Sequence, residues 1–234
     1  MPELPEVETT RRGIEPHIVG KAIKSVVVRQ PSLRWPVSPE LSQVMTGNRV
    51  TGISRRAKYL LFSTNTGRMM VHLGMSGSLR ITNGSTALKK HDHIDIVFDD
   101  GTVLRYHDPR RFGSVFWIPE GSSHELIDSL GPEPLSDEFN GSYLYELSRR
   151  RKLAIKLFIM NSKVVVGVGN IYANEALHAA GIRPDRLTGR VSRDRYVTLS
   201  QEIKDVLTSA ISSGGTTLRD FVREDGTPGY FKQS

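Results

Sequence analysis

The feature that constrains this chain most is a change of period near its middle. Before Gly131-Pro132-Glu133-Pro134-Leu135-Ser136 the apolar residues alternate, and after it they recur at helical spacing. Two prolines and a glycine within that stretch mark a linker. Residues 22–118 read mainly as strands. The clearest signal is 93–98 and 102–106 around Asp99-Asp100-Gly101, an Asp-Gly hairpin turn. Segments 59–62 and 69–72 around Asn65-Thr66-Gly67 read as another hairpin. Many short strands with turn signals predict a sandwich or barrel. Ahead of them, 6–18 reads as one helix, with Pro5 suited to its first turn. Beyond the linker, Ala154, Ile155, Phe158 and Ile159 share a face. Leu199, Ile203, Val206, Leu207 and Ile211 do likewise, with Gly214-Gly215 as a fitting stop. The expected fold is therefore α+β in two domains: a β domain with an N-terminal helix over 1–130, a hinge over 131–140 and a helical domain over 141–234. A cleft between domains is a usual place for a site.

Composition narrows the function. The chain has 234 residues, enough for a core without a covalent staple. It has no cysteine, which excludes disulfides, thiol catalysis and thiolate zinc ligands within it. No apolar run approaches the ~18 residues of a membrane span. The start, MPELPEVETT, is acidic and lacks an apolar core, so it is not a secretory signal, and a cytoplasmic location is expected. Lys plus Arg number 32 against 25 Asp plus Glu, a net charge of +7, which suggests a polyanionic partner. Nucleic acid fits better than a membrane surface, because no basic amphipathic helix stands out. Charge alone fits an ordinary, mildly basic protein equally well.

The N-terminus carries distinctive chemistry. Pro2 is small enough for the initiator Met1 to be removed, which leaves a secondary amine at the chain end. An α-amino group has a pKa of roughly 7.7–8.0 against roughly 10.4 for lysine, so it is far more often unprotonated at neutral pH. Such an amine attacks an electrophilic sugar carbon and forms an iminium ion, which permits elimination. Glu3 and Glu6 stand close by for proton transfer. Taken alone, the segment reads as the acidic start of a helix.

Other segments change that balance. Met-Pro-Glu-Leu-Pro-Glu-Val-Glu-Thr at the start resembles the bacterial formamidopyrimidine-DNA glycosylase family. So do Arg55-Arg56-Ala57-Lys58-Tyr59-Leu60, His72-Leu73-Gly74-Met75-Ser76-Gly77, Lys90-His91-Asp92-His93 and Asp108-Pro109-Arg110-Arg111-Phe112-Gly113. In the second half the linker, Val166-Gly167-Val168-Gly169-Asn170-Ile171-Tyr172-Ala173 and Gly214-Gly215-Thr216-Thr217-Leu218 also match. Each is weak alone; their collinear order over residues 2–231 is specific. Leu4 favours this branch over the related endonuclease VIII branch.

The resemblance implies a β-sandwich followed by a helical domain with a helix-two-turns-helix motif. It implies a bifunctional glycosylase and abasic-site lyase of base excision repair, removing 8-oxoguanine and formamidopyrimidines from duplex DNA as a monomer in the bacterial nucleoid. By motif match, Pro2 is the nucleophile at C1′, Glu3 the acid/base for sugar-ring opening, and Lys58 the proton donor and phosphate ligand during β-elimination. Met75, Arg110 and Phe112 match the residues that fill the void left by an extruded base. His91, Arg110 and Arg151 match family positions that contact DNA. Asn170 follows a glycine-rich turn and opens a helix from Ile171, as a phosphate cradle of backbone N–H groups, as an Asn N-cap, or as both, and Lys156 near the same motif adds charge. The run Arg149-Arg150-Arg151-Lys152 reads the same way. Glu6, Thr216, Thr217 and Tyr230 fall in stretches matching base recognition.

One departure stands out. Family members continue past Tyr230-Phe231 into a zinc finger with four cysteine ligands, whereas this sequence ends at Ser234 and has no cysteine. No cofactor is therefore expected within these residues, and truncation is the expected reason. Loss of the finger weakens the case for tight binding and for δ-elimination, and leaves Pro2, Glu3 and Lys58 in place. With Met1 attached the Pro2 nitrogen is an amide, so activity requires its removal. The alternative is a non-catalytic module that grips damaged DNA without excising it. An RNA-binding protein fits poorly, because its β domain would have no use for Lys58, Met75 and Phe112.

Overall fold

The computed structural model describes residues 2–214. By contact density they form two units, one of residues 2, 6–124 and 214, the other of residues 3–5 and 125–213. The first begins with α1 (Leu4–Ile18), where Val7, Ile14 and Ile18 recur at helical spacing and are buried. Pro5 lies in its first turn, where a missing N–H costs nothing.

Eight strands follow: β1 (Ile23–Val28), β2 (Gly52–Arg56), β3 (Tyr59–Ser63), β4 (Gly67–His72), β5 (Ser78–Asn83), β6 (Asp92–Phe98), β7 (Thr102–His107) and β8 (Ser114–Pro119). They form two antiparallel sheets, ordered β1-β6-β7-β5 and β2-β3-β4-β8. One core holds both: Val26, Phe98, Leu104 and Tyr106 from the first sheet meet Ile53, Phe62, Met69 and Val115 from the second, with Val7 and Ile14 of α1. That makes a sandwich. Both expected hairpins form, with Val97 opposite Val103 and Ser63 opposite Arg68. The strand reading of 22–118 is interrupted by α2 (Leu41–Met45), which buries Leu41 and Met45 against the same core.

The outer side of the first sheet carries a charged cluster. Arg105 Nε and Nη2 donate to the two oxygens of Asp95 at 2.8 and 2.9 Å, and Arg29 Nη2 donates to Asp95 at 2.7 Å. Burial pushes the Asp95 carboxyl up, and its hydrogen bonds to Arg105 and Arg29 pull it below the usual carboxylate range. Breaking such a buried pair from one side costs about 3–5 kcal/mol.

The second unit is helical: α3 (Glu125–Asp128), α4 (Gly141–Ser148), α5 (Ile155–Ile159), α6 (Asn170–Ala179) and α7 (Arg193–Ser212). Asn140 caps α4, its side chain accepting from the Tyr143 N–H at 3.0 Å, an interaction worth about 1 kcal/mol. In α7, Tyr196, Leu199, Ile203, Leu207 and Ala210 form one buried stripe, and the helix ends two residues before Gly214. Residues of the proline-rich stretch bond within this unit: Gly131 N–H donates to Ser162 O at 2.8 Å and Val166 N–H to Pro132 O at 3.1 Å. Between α5 and α6 the chain makes two turns. The first closes on the Asn161 carbonyl, which accepts from Val164 and Val165; the second passes Gly167 at φ +78°. This is a helix, two turns and a helix, with Val164, Val165 and Val168 in the core. Among the described residues no helix is long and apolar enough to cross a membrane.

Candidate active site

In the helical unit the site is built around Glu3. Its side chain is buried, and its carboxylate accepts from the Gly169 N–H at 2.9 Å and the Ile171 N–H at 3.1 Å. Leu4 N–H donates to Gly167 O at 3.2 Å, so the turn 167–171 closes over residues 3–4. Gly169 is required for this closure, because a Cβ there would sit 2.2 Å from Glu3 Cδ. A carboxylate is all acceptor and a helix start offers unpaired donors, so the two match.

This arrangement corrects two expectations. The N-cap of α6 is Gly169, not Asn170, which is the first helical residue and is exposed. The N–H groups of Gly169 and Ile171 do not cradle an external phosphate; the chain's own Glu3 already occupies them. The basic run is also split. Arg149 stacks on Tyr145 with 3.9 Å to the ring centroid and donates to the carbonyls of Thr188, Gly189 and Val191, so it pins α4 to the following loops. Arg151 is half-buried beside Phe158, with Lys156 half-buried on α5, while Arg150 and Lys152 are exposed.

In the β unit, Lys58 lies on the two-residue loop between β2 and β3, half-buried, with Arg56 paired opposite Tyr59. Its neighbour Ala57 is buried at φ +54°, a left-handed conformation that costs a non-glycine residue about 1–2 kcal/mol. Across the hairpin, Tyr59 pairs with His72, with ring centroids 4.9 Å apart. His72 Nδ1 accepts from the Gly74 N–H at 3.0 Å, which leaves Nε2 to carry the proton of a neutral ring. Burial, then the charges of Lys58 and Arg34, push the His72 pKa down to about 4.

Met75, Arg110 and Phe112 converge on a cavity of about 680 Å³, shared with Ser32, Leu33, Arg34, His72, Gly74 and Arg111. Met75 is 43% exposed and Phe112 41%, which rejects core packing as their purpose. The Arg110 guanidinium sits 4.7 Å from the Phe112 ring centroid. Both loops hang on Asp108, which is fully buried. Its carboxylate accepts from Ser76 Oγ at 2.7 Å, Gly113 N–H at 2.9 Å, Tyr106 OH at 3.0 Å and Arg110 N–H at 3.3 Å. Its backbone N–H donates to His91 O at 3.1 Å, and its carbonyl meets His93 Nε2 at 2.8 Å. Asp108 thus joins the three motifs that carry Met75, His91 and Phe112. Sequence reading missed it, although Asp-Pro is a turn initiator whose side chain bonds two residues on.

His91 is half-buried, its ring edge-on to His93 and His107. Pro2 is half-buried and Glu6 buried in α1. Thr216, Thr217 and Tyr230 lie outside the described residues. Among the described residues no group of His, Asp or Glu is arranged to hold a metal ion. With no cysteine in the sequence, the four-thiolate zinc site expected of the family does not fit the residues present.

Residues 1–115 match the family model of the formamidopyrimidine-DNA glycosylase N-terminal domain, and residues 130–222 that of the formamidopyrimidine-DNA glycosylase H2TH domain. A formamidopyrimidine-DNA glycosylase of Thioalkalivibrio sulfidiphilus is 58% identical over 235 residues, spanning 100% of this chain and 86% of that protein. The crystal structure of the Lactococcus lactis enzyme, bound non-covalently to DNA containing an AP site, superposes with a TM-score of 0.86 at 35% identity, covering 92% of this chain and 83% of that one. The Lactococcus lactis protein in complex with DNA containing FAPY-dG gives 0.85 at 33% identity, covering 92% and 82%.

Proposed function

We infer the activity from a plain premise: this chain belongs to the formamidopyrimidine-DNA glycosylase family. The reading is a DNA glycosylase of base excision repair that excises oxidised purines from duplex DNA and then cleaves the abasic strand as a lyase. The observation that carries it is Glu3, next in the chain to Pro2, buried and fixed by two backbone N–H groups at the start of α6. A carboxylate held this way is oriented before substrate arrives.

Once Met1 is removed, the Pro2 nitrogen attacks C1′ of the damaged nucleotide, and the C1′–base bond breaks with its electron pair leaving on the base, which takes up a proton. Glu3 takes up the proton released by the Pro2 nitrogen and delivers it to the ring oxygen as the C1′–O4′ bond opens, leaving an iminium ion at C1′. That cation acidifies C2′–H. Loss of the C2′ proton forms the C2′–C3′ double bond and expels the 3′-phosphate, whose charge Lys58 balances. Met75 and Phe112 fill the space left by the extruded nucleotide and Arg110 bonds its orphaned partner. His91, Arg151, Lys156 and Asn170 supply phosphate contacts, Arg151 and Lys156 by charge, His91 through a ring N–H and Asn170 from the exposed start of α6. The Lactococcus lactis protein has been solved with DNA containing an AP site and with DNA containing FAPY-dG, which supports this reading. No step is routed through zinc, since these residues provide no site for it.

Borohydride trapping on an 8-oxoguanine:cytosine duplex tests the reading, with Met1 removal verified by mass and a Pro2→Gly control. A covalent adduct that weakens sharply in the control is the expected result. Duplex binding without an adduct overturns it in favour of a non-catalytic binding module.

A further inference from the structure

The β2–β3 loop raises a question that the reaction scheme leaves open. A lysine on a two-residue hairpin is ordinarily a mobile, solvated side chain, whereas the proposed reaction needs its ammonium in one place. Three observations bear on how it is held. Ala57 is fixed at φ +54° and buried. Arg55 Nη1 donates to the Ala57 carbonyl at 2.9 Å, which sets the plane of the peptide leading into Lys58. The same guanidinium donates through Nε to Glu8 Oε2 at 3.2 Å.

Glu8 is the hub of this arrangement. It lies on α1, 8% exposed, and its carboxylate also takes Arg12 Nε at 2.9 Å and Arg11 Nη2 at 3.1 Å. Arg11 in turn donates to the Ile53 carbonyl of β2 at 3.3 Å and to Glu15 at 2.8 Å. Burial pushes the Glu8 carboxyl up, and the arginine hydrogen bonds and charges outweigh it, so the group stays ionised. The helix that follows Pro2 and Glu3 is thereby tied at two points to the strand that leads to Lys58.

We propose that Glu8, acting through Arg55 and the Ala57 carbonyl, is a positioning residue for Lys58. This rests on the lyase reading above. Arg55 suits the task because a planar fork reaches the carboxylate and the carbonyl at once, which a lysine cannot do. Glu8 touches no reacting atom. It sets where the Lys58 ammonium stands, so the loss of strand cleavage on its removal runs through Lys58.

The test is single-turnover strand cleavage of a duplex with a preformed abasic site, using the full chain with Met1 removal checked. Glu8→Gln is expected to slow cleavage about tenfold, while the borohydride-trapped fraction stays within roughly twofold of wild type. The decisive measurement is the Glu8→Gln/Lys58→Gln double variant. If Glu8 works through Lys58, the double variant is no slower than Lys58→Gln alone. Arg55→Lys, and its double variant with Lys58→Gln, repeat the test should Glu8→Gln fail to fold by circular dichroism. A folded Glu8→Gln or Arg55→Lys that cleaves at the wild-type rate overturns the proposal. So does a double variant slowed by the full product of the two single losses. A wild-type chain that forms no trapped adduct overturns the lyase reading itself, and is recognised before any variant is compared.

Discussion

Between β6 and β7 the chain reverses through Asp99-Asp100-Gly101, with Gly101 at φ +85°; between β2 and β3 it reverses through Ala57-Lys58, with Ala57 at φ +54°. The first turn follows local preference. Glycine takes the left-handed position, Asp100 accepts the Thr102 N–H at 2.9 Å, and Lys21 reaches in to pair with Asp100 at 2.5 Å. The second places an alanine where glycine or asparagine is usual, and a network from α1 holds it there. One loop closes a sheet at little cost. The other stores strain and presents a lysine. Strain that the surroundings over-determine is a mark of a functional position, and here it sits beside the lysine that the family resemblance singles out.

The two lysines give the sharpest separation. Lys58→Gln is expected to slow strand cleavage at a preformed abasic site by roughly a hundredfold to a thousandfold, about 3–4 kcal/mol on the barrier. Lys21→Gln, which strips the other turn of its cation, is expected to change the rate by less than about twofold, as a surface ion pair contributes little. Equal losses from the two would erase the distinction between the loops. Single-turnover gels at one salt concentration decide it.

How far the sequence reveals these differences depends on the range of the interactions. The β6–β7 hairpin is readable because Asp-Gly and the flanking alternation are local, and so is the α7 stripe from Leu199 to Leu207. Met75 is readable as an exposed residue, since Gly74-Met75-Ser76-Gly77 declares a turn, whereas Phe112 carries no such local signal. What the sequence conceals depends on distant partners. Glu8 and Arg55 are 47 positions apart, and Ser76 and Asp108 are 32 apart. Nothing local says that Arg149 will serve the Thr188–Val191 carbonyls rather than a phosphate, or that Glu3 will reach the N–H groups of Gly169 and Ile171 before a ligand does. A pattern of residue types identifies candidates. Which of them the fold uses for itself follows only from the contacts.

The pH dependence of His72 probes the strained loop from across the hairpin. Its pKa falls from 6.5 to about 4 in the folded chain, through burial first and then the charges of Lys58 and Arg34. Between those values the unfolded chain binds more protons than the folded one, so stability rises with pH over this window. Going from pH 6.5 down to 4 removes up to roughly 3 kcal/mol, and below 4 this contribution is spent. His72→Asn, which keeps an acceptor for the Gly74 N–H, is expected to flatten that acid limb in melting curves. Lys58→Gln is expected to move the His72 resonance titration upward, and Lys21→Gln to leave it unmoved. A His72 titration indifferent to Lys58 would separate the lysine from the cavity.

The smallest effects distinguish the loops by backbone alone. A Cβ at Gly101 would meet nothing within 4 Å, so Gly101→Ala adds only the left-handed penalty, less the entropy that alanine removes from the unfolded chain. A net loss of about 0.5–1 kcal/mol in denaturant melts is expected, with no change in cleavage. Ala57→Gly reverses each contribution. It relieves about 1–2 kcal/mol of strain, gives back chain entropy and surrenders a buried methyl worth about 0.8 kcal/mol, so stability stays within about 0.5 kcal/mol of wild type. Its cost falls on the chemistry. A glycine at that position lets the peptide before Lys58 rotate away from Arg55, and cleavage is expected to slow about threefold to fivefold with the melting curve unchanged. Should Ala57→Gly stabilise the protein and leave the rate intact, the left-handed alanine would be an uncorrected flaw in a hairpin turn, and the two hairpins would differ in sequence without differing in purpose.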